Sequence, residues 1–141
     1  MTKQIIQGWI NYRVQTGKSK IHGTGAFAAQ SIPAKRKIGT LSGEIISKKS
    51  ARQKAATMKA VSIVELWNGK ALDATEYGND LRYINHSCQP NTYMRNIGLQ
   101  VEFYTLKAIK KAEELTCNYG ETHHDGAVNC RCNAPGCKGY L

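Results

Sequence analysis

Acidic residues are nearly missing from the first part of this 141-residue chain: Glu44 is the only one before position 60. Twelve lysines and arginines share that stretch, for a net of +11, whereas residues 60–141 carry eight basic and nine acidic residues, a net of −1. A field so weakly countered attracts phosphate, of nucleic acid or of a nucleotide. The run at 48–59, KKSARQKAATMK, taken alone reads rather as a solvated helix face. The near-neutral second half leaves room for a separate site that takes a cationic substrate. Also missing is any run of 18 apolar residues, which excludes a membrane-spanning helix and gives an expectation of no membrane partner. The N-terminal MTKQIIQGWI has no basic region followed by a sustained apolar stretch and a small-residue cleavage site, so no secretory signal is expected. Internal repeats, low-complexity tracts and an interdomain linker are lacking as well, which leaves one domain with a modest core.

What is there is mostly short and strand-like. The segments 9–14, 37–46, 62–66, 92–97 and 100–106 are rich in β-branched and aromatic residues, and Gly98 stands between the last two as a hairpin turn. One helix is expected over roughly 48–60, with Ser47 as its N-cap. The pattern predicts a mainly β domain with one inserted helix. The last thirteen residues, NCRCNAPGCKGYL, cannot pack a core of their own.

Five cysteines make an odd count, and an intracellular, reducing compartment fits them best. Cys130, Cys132 and Cys137 form a C-x-C-x4-C pattern too crowded for three separate structural roles. Zinc wants four ligands in a tetrahedron, which thiolates satisfy. The fourth ligand is open on spacing alone: Cys88, 29 residues from the next cysteine, competes with His86, His123 and His124. The one-residue C-x-C spacing is unlike a zinc finger. Gly23 and Gly25, in KIHGTGAFA, permit a tight backbone path and close approach of a ligand. They do not make a dinucleotide fingerprint, since the third glycine is missing.

Taken in order, IHGTGAFAAQSI (21–32), SGEII (42–46), LDATEYGNDLRYINHSCQPN (72–91), EELTCNYG (113–120) and CRCNAPGCKGYL (130–141) resemble the SET-domain protein lysine methyltransferases with a post-SET zinc segment. The resemblance implies a SET domain over 10–121 and a post-SET zinc-binding segment over 122–141. The implied fold is a β-clip of short curved sheets in which RYINHSC and ELTCNYG pass through one another as a pseudoknot. It implies S-adenosylmethionine on one face and a protein lysine entering a channel from the other, with histone or histone-like basic proteins as the substrate class. By the same resemblance His22, Gly23, Thr24, Gly25, Ala26, Phe27, Asn85 and His86 bind the cofactor, and Tyr140 covers the adenine or the channel mouth. Tyr119 is the implied catalytic tyrosine, Leu41, Cys117 and Tyr119 line the lysine channel, and Cys88, Cys130, Cys132 and Cys137 hold one structural zinc ion.

The departures from the family pattern are specific. Leu41 and Ser62 stand where the family often has an aromatic, which removes phenol hydroxyls from around the cofactor and channel. Asn118 replaces a frequent aspartate. Cys117 replaces the phenylalanine or tyrosine that limits methyl number; a thiol is smaller and a weak hydrogen-bond partner, so the expected product goes beyond monomethyl-lysine. Residues 35–59 are the expected DNA contact. A catalytically weak SET scaffold acting as a nucleic-acid or chromatin binding module is the second reading. With no accessory domain in view, the expected compartment is a bacterial cytoplasm, or host nucleus and chromatin for an exported effector.

Overall fold

Hydrophobic side chains between residues 26 and 117 meet in one core, and the strands are arranged to deliver them there. The computed structural model describes residues 2–58, 61–119 and 137. Among these, Ile38, Leu41, Leu66, Leu72, Leu81, Val101, Ile109 and Leu115 are each at most 1% exposed and belong to a single cluster. Three sheets surround it. The largest has the strand order Trp9–Ile10, Lys37–Thr40, Gln100–Thr105, Thr92–Ile97, Thr116–Cys117, Asn85–His86. A second joins Ile5–Ile6, Gly43–Ser47, Lys70–Asp73 and Ile63–Glu65. The third is the hairpin Val14–Lys18 with Thr24–Ala28. The mainly β architecture with one α-helix among the described residues is as expected from the sequence.

Two expected strands are each split. The 9–14 stretch ends its first pairing at Ile10, opposite Gly39, and Val14 begins a separate hairpin. The 37–46 stretch breaks at Leu41, whose N–H donates to Val101 O at 2.8 Å, before Gly43 crosses to the other sheet opposite Ile6. Pairing of Ile5–Ile6 with Gly43–Glu44 also brings in residues ahead of position 10. The 92–97 and 100–105 strands form the expected hairpin, with Gly98 at φ +58°, a backbone region glycine enters without a Cβ penalty.

The helix runs Lys48–Thr57, and the Ser47 side chain accepts the Ser50 N–H at 3.1 Å. Only Ala51 is buried on it, so side-chain pairs hold it to the sheet: Lys54 to Asp73 and Arg52 Nε to Glu65 at 2.9 Å. Burial alone would raise the Asp73 carboxyl, but Lys54 and Thr75 outweigh it and hold the group below its ordinary range. With so little apolar contact, the cap matters. Ser47→Ala should lower unfolding free energy by about 1 kcal/mol, read as an earlier urea midpoint with unchanged cofactor affinity.

Candidate active site

The segments quoted as INHSCQPN and EELTCNYG are far apart in sequence and side by side in space. Asn85–His86 pairs in parallel with Thr116–Cys117, and Thr116–Cys117 pairs in parallel with the start of Thr92–Ile97. Strands of two residues cannot hold register on ladder bonds alone, and side chains do the rest. Asn91 is buried and saturated: Oδ1 accepts Thr116 N–H at 2.8 Å, Nδ2 donates to Glu114 O at 2.8 Å and to Glu113 Oε2 at 3.1 Å. Thr92 Oγ1 donates to Thr116 O at 2.7 Å. Ser62 Oγ donates to Arg82 O at 3.3 Å and ties the second sheet to the same segment.

This pairing places Tyr119 over the 84–86 strand. Its hydroxyl donates to Ile84 O at 2.8 Å and its N–H donates to His86 Nδ1 at 3.0 Å. The residue is 41% exposed overall, but the hydroxyl points to the buried Ile84. Burial pushes the phenol well above its ordinary range, and the nearby Cys117 and Glu114 push the same way. Tyr119 is therefore a neutral phenol near pH 7: a positioned dipole with oxygen lone pairs to offer, and no base. Cys117 is 1% exposed, and burial pushes its thiol up to about 11, so it is a neutral packing group rather than a nucleophile.

His86 links that tyrosine to a sulfur. A backbone N–H can only donate, so Nδ1 accepts and the proton of the neutral ring lies on Nε2. Nε2 is 3.5 Å from Cys88 Sγ. Cys88 Sγ is in turn 3.7 Å from Cys137 Sγ. A disulfide would bring two sulfurs to about 2.05 Å. Two thiolates on one zinc, each about 2.3 Å from it, lie about 3.8 Å apart across a tetrahedron edge. The Cys88–Cys137 spacing fits a shared metal.

On the other side of Asn85 lies the glycine turn. Asn85 Nδ2 is 3.0 Å from His22 O, 3.4 Å from Thr24 O and 3.1 Å from Glu114 Oε2. All three neighbours only accept, which settles the amide's orientation and leaves Oδ1 as the atom able to accept from a bound group. Gly23 has φ +46°. Ala26 is wholly buried and Phe27 half-buried, in the strand Thr24–Ala28 that follows.

Residues 23–120 match the family profile described as the SET domain. This chain belongs to the SET-domain family. Among similar proteins, the histone-lysine N-methyltransferase set-2 of Caenorhabditis elegans is 35% identical over 137 residues, covering 91% of this chain and 9% of the relative. An H3 lysine-4 specific histone-lysine N-methyltransferase of Candida albicans is 34% identical over 140 residues, 91% of this chain and 14% of the relative. A chain in the crystal structure of an active polycomb repressive complex 2 in the basal state is 34% identical and superposes with a TM-score of 0.71, covering 78% of this chain and 15% of that one. The chain thus spans a small fraction of the length of these relatives.

The structure brings together His22 to Phe27, Asn85, His86, Cys88 and Tyr119, with Cys137 beside Cys88. Of the three residues expected along the lysine channel, Tyr119 is partly exposed, while Leu41 and Cys117 are each 1% exposed. Cys130, Cys132 and Tyr140 lie outside the described residues, as do His123 and His124. Three residues of the site were not singled out from the sequence: Asn91, Ser19 and Glu114. Asn91 was visible only as the last letter of a motif. The pairing of Ser19 with Glu114 carries no local signal, since the two are 95 residues apart.

Proposed function

We propose that this SET domain is an S-adenosylmethionine-dependent protein-lysine N-methyltransferase acting on histone or histone-like basic proteins. The observation that carries this reading is the convergence of Tyr119, Asn85 and the Gly23 turn through the parallel pairing of 85–86 with 116–117. The similar proteins are named as histone-lysine N-methyltransferases, which supports a histone substrate and with it a nuclear, chromatin compartment; relatives from a nematode and a yeast give the bacterial-cytoplasm expectation no support.

The donor set suits the cofactor. The backbone of His22 to Gly25, the Asn85 Oδ1 atom and the 26–27 strand would hold it, with Tyr140 as its cover. When bound, S-adenosylmethionine would supply an electrophilic sulfonium methyl: the N–C bond to a neutral lysine amine would form in line as the C–S bond breaks, with the neutral thioether as leaving group and a proton lost from the methylated nitrogen to solvent. For that displacement the chain has to orient two reactants and exclude water. Tyr119 oxygen, its proton committed to Ile84 O, presents lone pairs to the amine and fixes its direction of approach. The buried Cys117 takes less space than a ring and forms no strong hydrogen bond, which leaves room for di- and trimethyl-lysine. The apolar surroundings favour the uncharged amine.

Cys88 and Cys137, with Cys130 and Cys132, would hold one zinc ion and make residues 122–141 a post-SET segment tied to a domain over 10–121. A DNA contact through residues 35–59 would fall to Lys35, Arg36, Lys48 and Lys49. The other described cations of that stretch are paired: Lys37 with Glu102, Arg52 with Glu65 and Lys54 with Asp73.

Calorimetric titration of the zinc-loaded chain with S-adenosylmethionine tests the cofactor assignment. Saturable one-to-one binding, weakened at least tenfold by Asn85→Ala, is expected. Binding absent in the folded wild-type chain would overturn it.

A further inference from the structure

We propose that Glu114 is a positioning residue that sets the 19–24 turn and Asn85 in their binding arrangement before the cofactor arrives. The proposal rests on the reading of this turn and Asn85 as the cofactor site.

The backbone carries Glu114 there. Phe27 and Glu114 face each other in an isolated bridge, Leu115 N–H donates to Ala26 O at 2.8 Å and Ala28 N–H donates to Glu113 O at 2.9 Å. Residue 114 therefore runs beside the 24–28 strand and its side chain reaches back along the turn. Ser19 Oγ lies 2.9 Å from Oε1 and 2.8 Å from Oε2, and Asn85 Nδ2 donates to Oε2 at 3.1 Å.

Ser19 in turn closes the loop. Its Oγ accepts the Ile21 N–H at 2.9 Å, and its own N–H donates to Gly23 O at 2.8 Å. One carboxylate thus fixes the hydroxyl that shapes the turn and the Asn85 amide that reaches His22 O and Thr24 O. Gly25 belongs to the same arrangement: a Cβ there would lie 2.6 Å from Glu114 Oε2, so the missing side chain is the space the carboxylate fills. Three residues further along the same strand-like segment comes Cys117, and then Tyr119. What Glu114 supplies is above all an acceptor at the Oε2 position, which faces both Ser19 Oγ and Asn85 Nδ2; glutamine keeps that one acceptor when its amide oxygen takes the Oε2 place.

Removing the acceptors should loosen the turn, so that cofactor binding bears the ordering cost. Glu114→Ala is expected to raise the Kd for S-adenosylmethionine about tenfold, with kcat at saturating cofactor and the KM for a histone peptide within about twofold of wild type. Glu114→Gln should return Kd to within about threefold of wild type, and Ser19→Ala should weaken binding less than Glu114→Ala. Because the two residues share the Ser19–Glu114 contact, the double alanine variant should lose less binding than the two single losses added together.

Unchanged Kd in Glu114→Ala and Ser19→Ala, with wild type binding normally, would overturn the proposal and leave the cofactor site standing. So would a uniform loss in Kd, peptide KM, kcat and melting temperature that glutamine does not rescue, since that marks general damage to the fold. Wild-type chain that binds no cofactor would overturn the site and this role together.

Discussion

Tyr119→Phe is expected to lower kcat for methyl transfer by about a hundredfold or more, with cofactor Kd nearly unchanged. The substitution deletes one oxygen and keeps the ring and the backbone N–H that donates to His86 Nδ1 at 3.0 Å. Cofactor-side geometry, which runs through Asn85 and the glycine turn, is therefore untouched. What is lost is the oxygen held in place by its 2.8 Å bond to Ile84 O, the atom that would orient the attacking amine. A factor of a hundred corresponds to about 2.7 kcal/mol, the scale of removing one preorganised polar contact from a water-poor site. Ile84 O also loses its donor, for a stability cost of about 1 kcal/mol. Because burial drives the Tyr119 phenol above its ordinary range, it stays protonated through pH 7 to 9. Any rise of the wild-type rate across that window then belongs to deprotonation of the substrate lysine, ordinarily near about 10.4, and should keep its shape in the phenylalanine variant. Stopped single-turnover rates beside calorimetric Kd values check both halves; equal turnover in variant and wild type would remove Tyr119 from the chemistry.

Cys88→Ser should cost both metal and cofactor. A zinc site completed by Cys88 and Cys137, whose sulfurs lie 3.7 Å apart, loses a thiolate and gains a far weaker ligand. The damage does not stop at the metal. His86 Nε2 is 3.5 Å from the lost sulfur and its Nδ1 holds the Tyr119 backbone, so ring orientation and the 119 peptide are released together. Bound zinc is expected to fall from about one ion per chain to a small fraction, and cofactor affinity to drop at least tenfold. Plasma emission spectroscopy of the dialysed protein measures the first and calorimetry the second. Full zinc content in the variant would sever Cys88 from the metal; lost zinc with unaltered cofactor affinity would break the link through His86.

How far the sequence foretold this molecule depends on the distance over which each feature is decided. The helix after Ser47 and the hairpin around Gly98 rest on contacts three to six residues apart, so capping and turn chemistry were enough to find them. The break at Leu41 was hidden because both halves of 37–46 are apolar and β-prone; what separates them is that Leu41 bonds to Val101 while Gly43 turns to Ile6. Strands of two residues, such as 85–86 and 116–117, have no periodicity to read, and their place came from resemblance to a family. The site divides in the same way. Asn85, His86, Cys88 and Tyr119 sit in motifs with known company. Glu114, an acid between Glu113 and Leu115, reads as a surface residue until the turn 95 residues upstream is folded against it.

Mass spectrometry of histone octamers incubated with this chain and S-adenosylmethionine tests the proposed methyl transfer most directly. Added methyl groups on lysine side chains of a histone are expected, progressing past the monomethyl state at long times. A chain that binds the cofactor and holds its zinc, yet leaves every histone lysine unmodified, would contradict it.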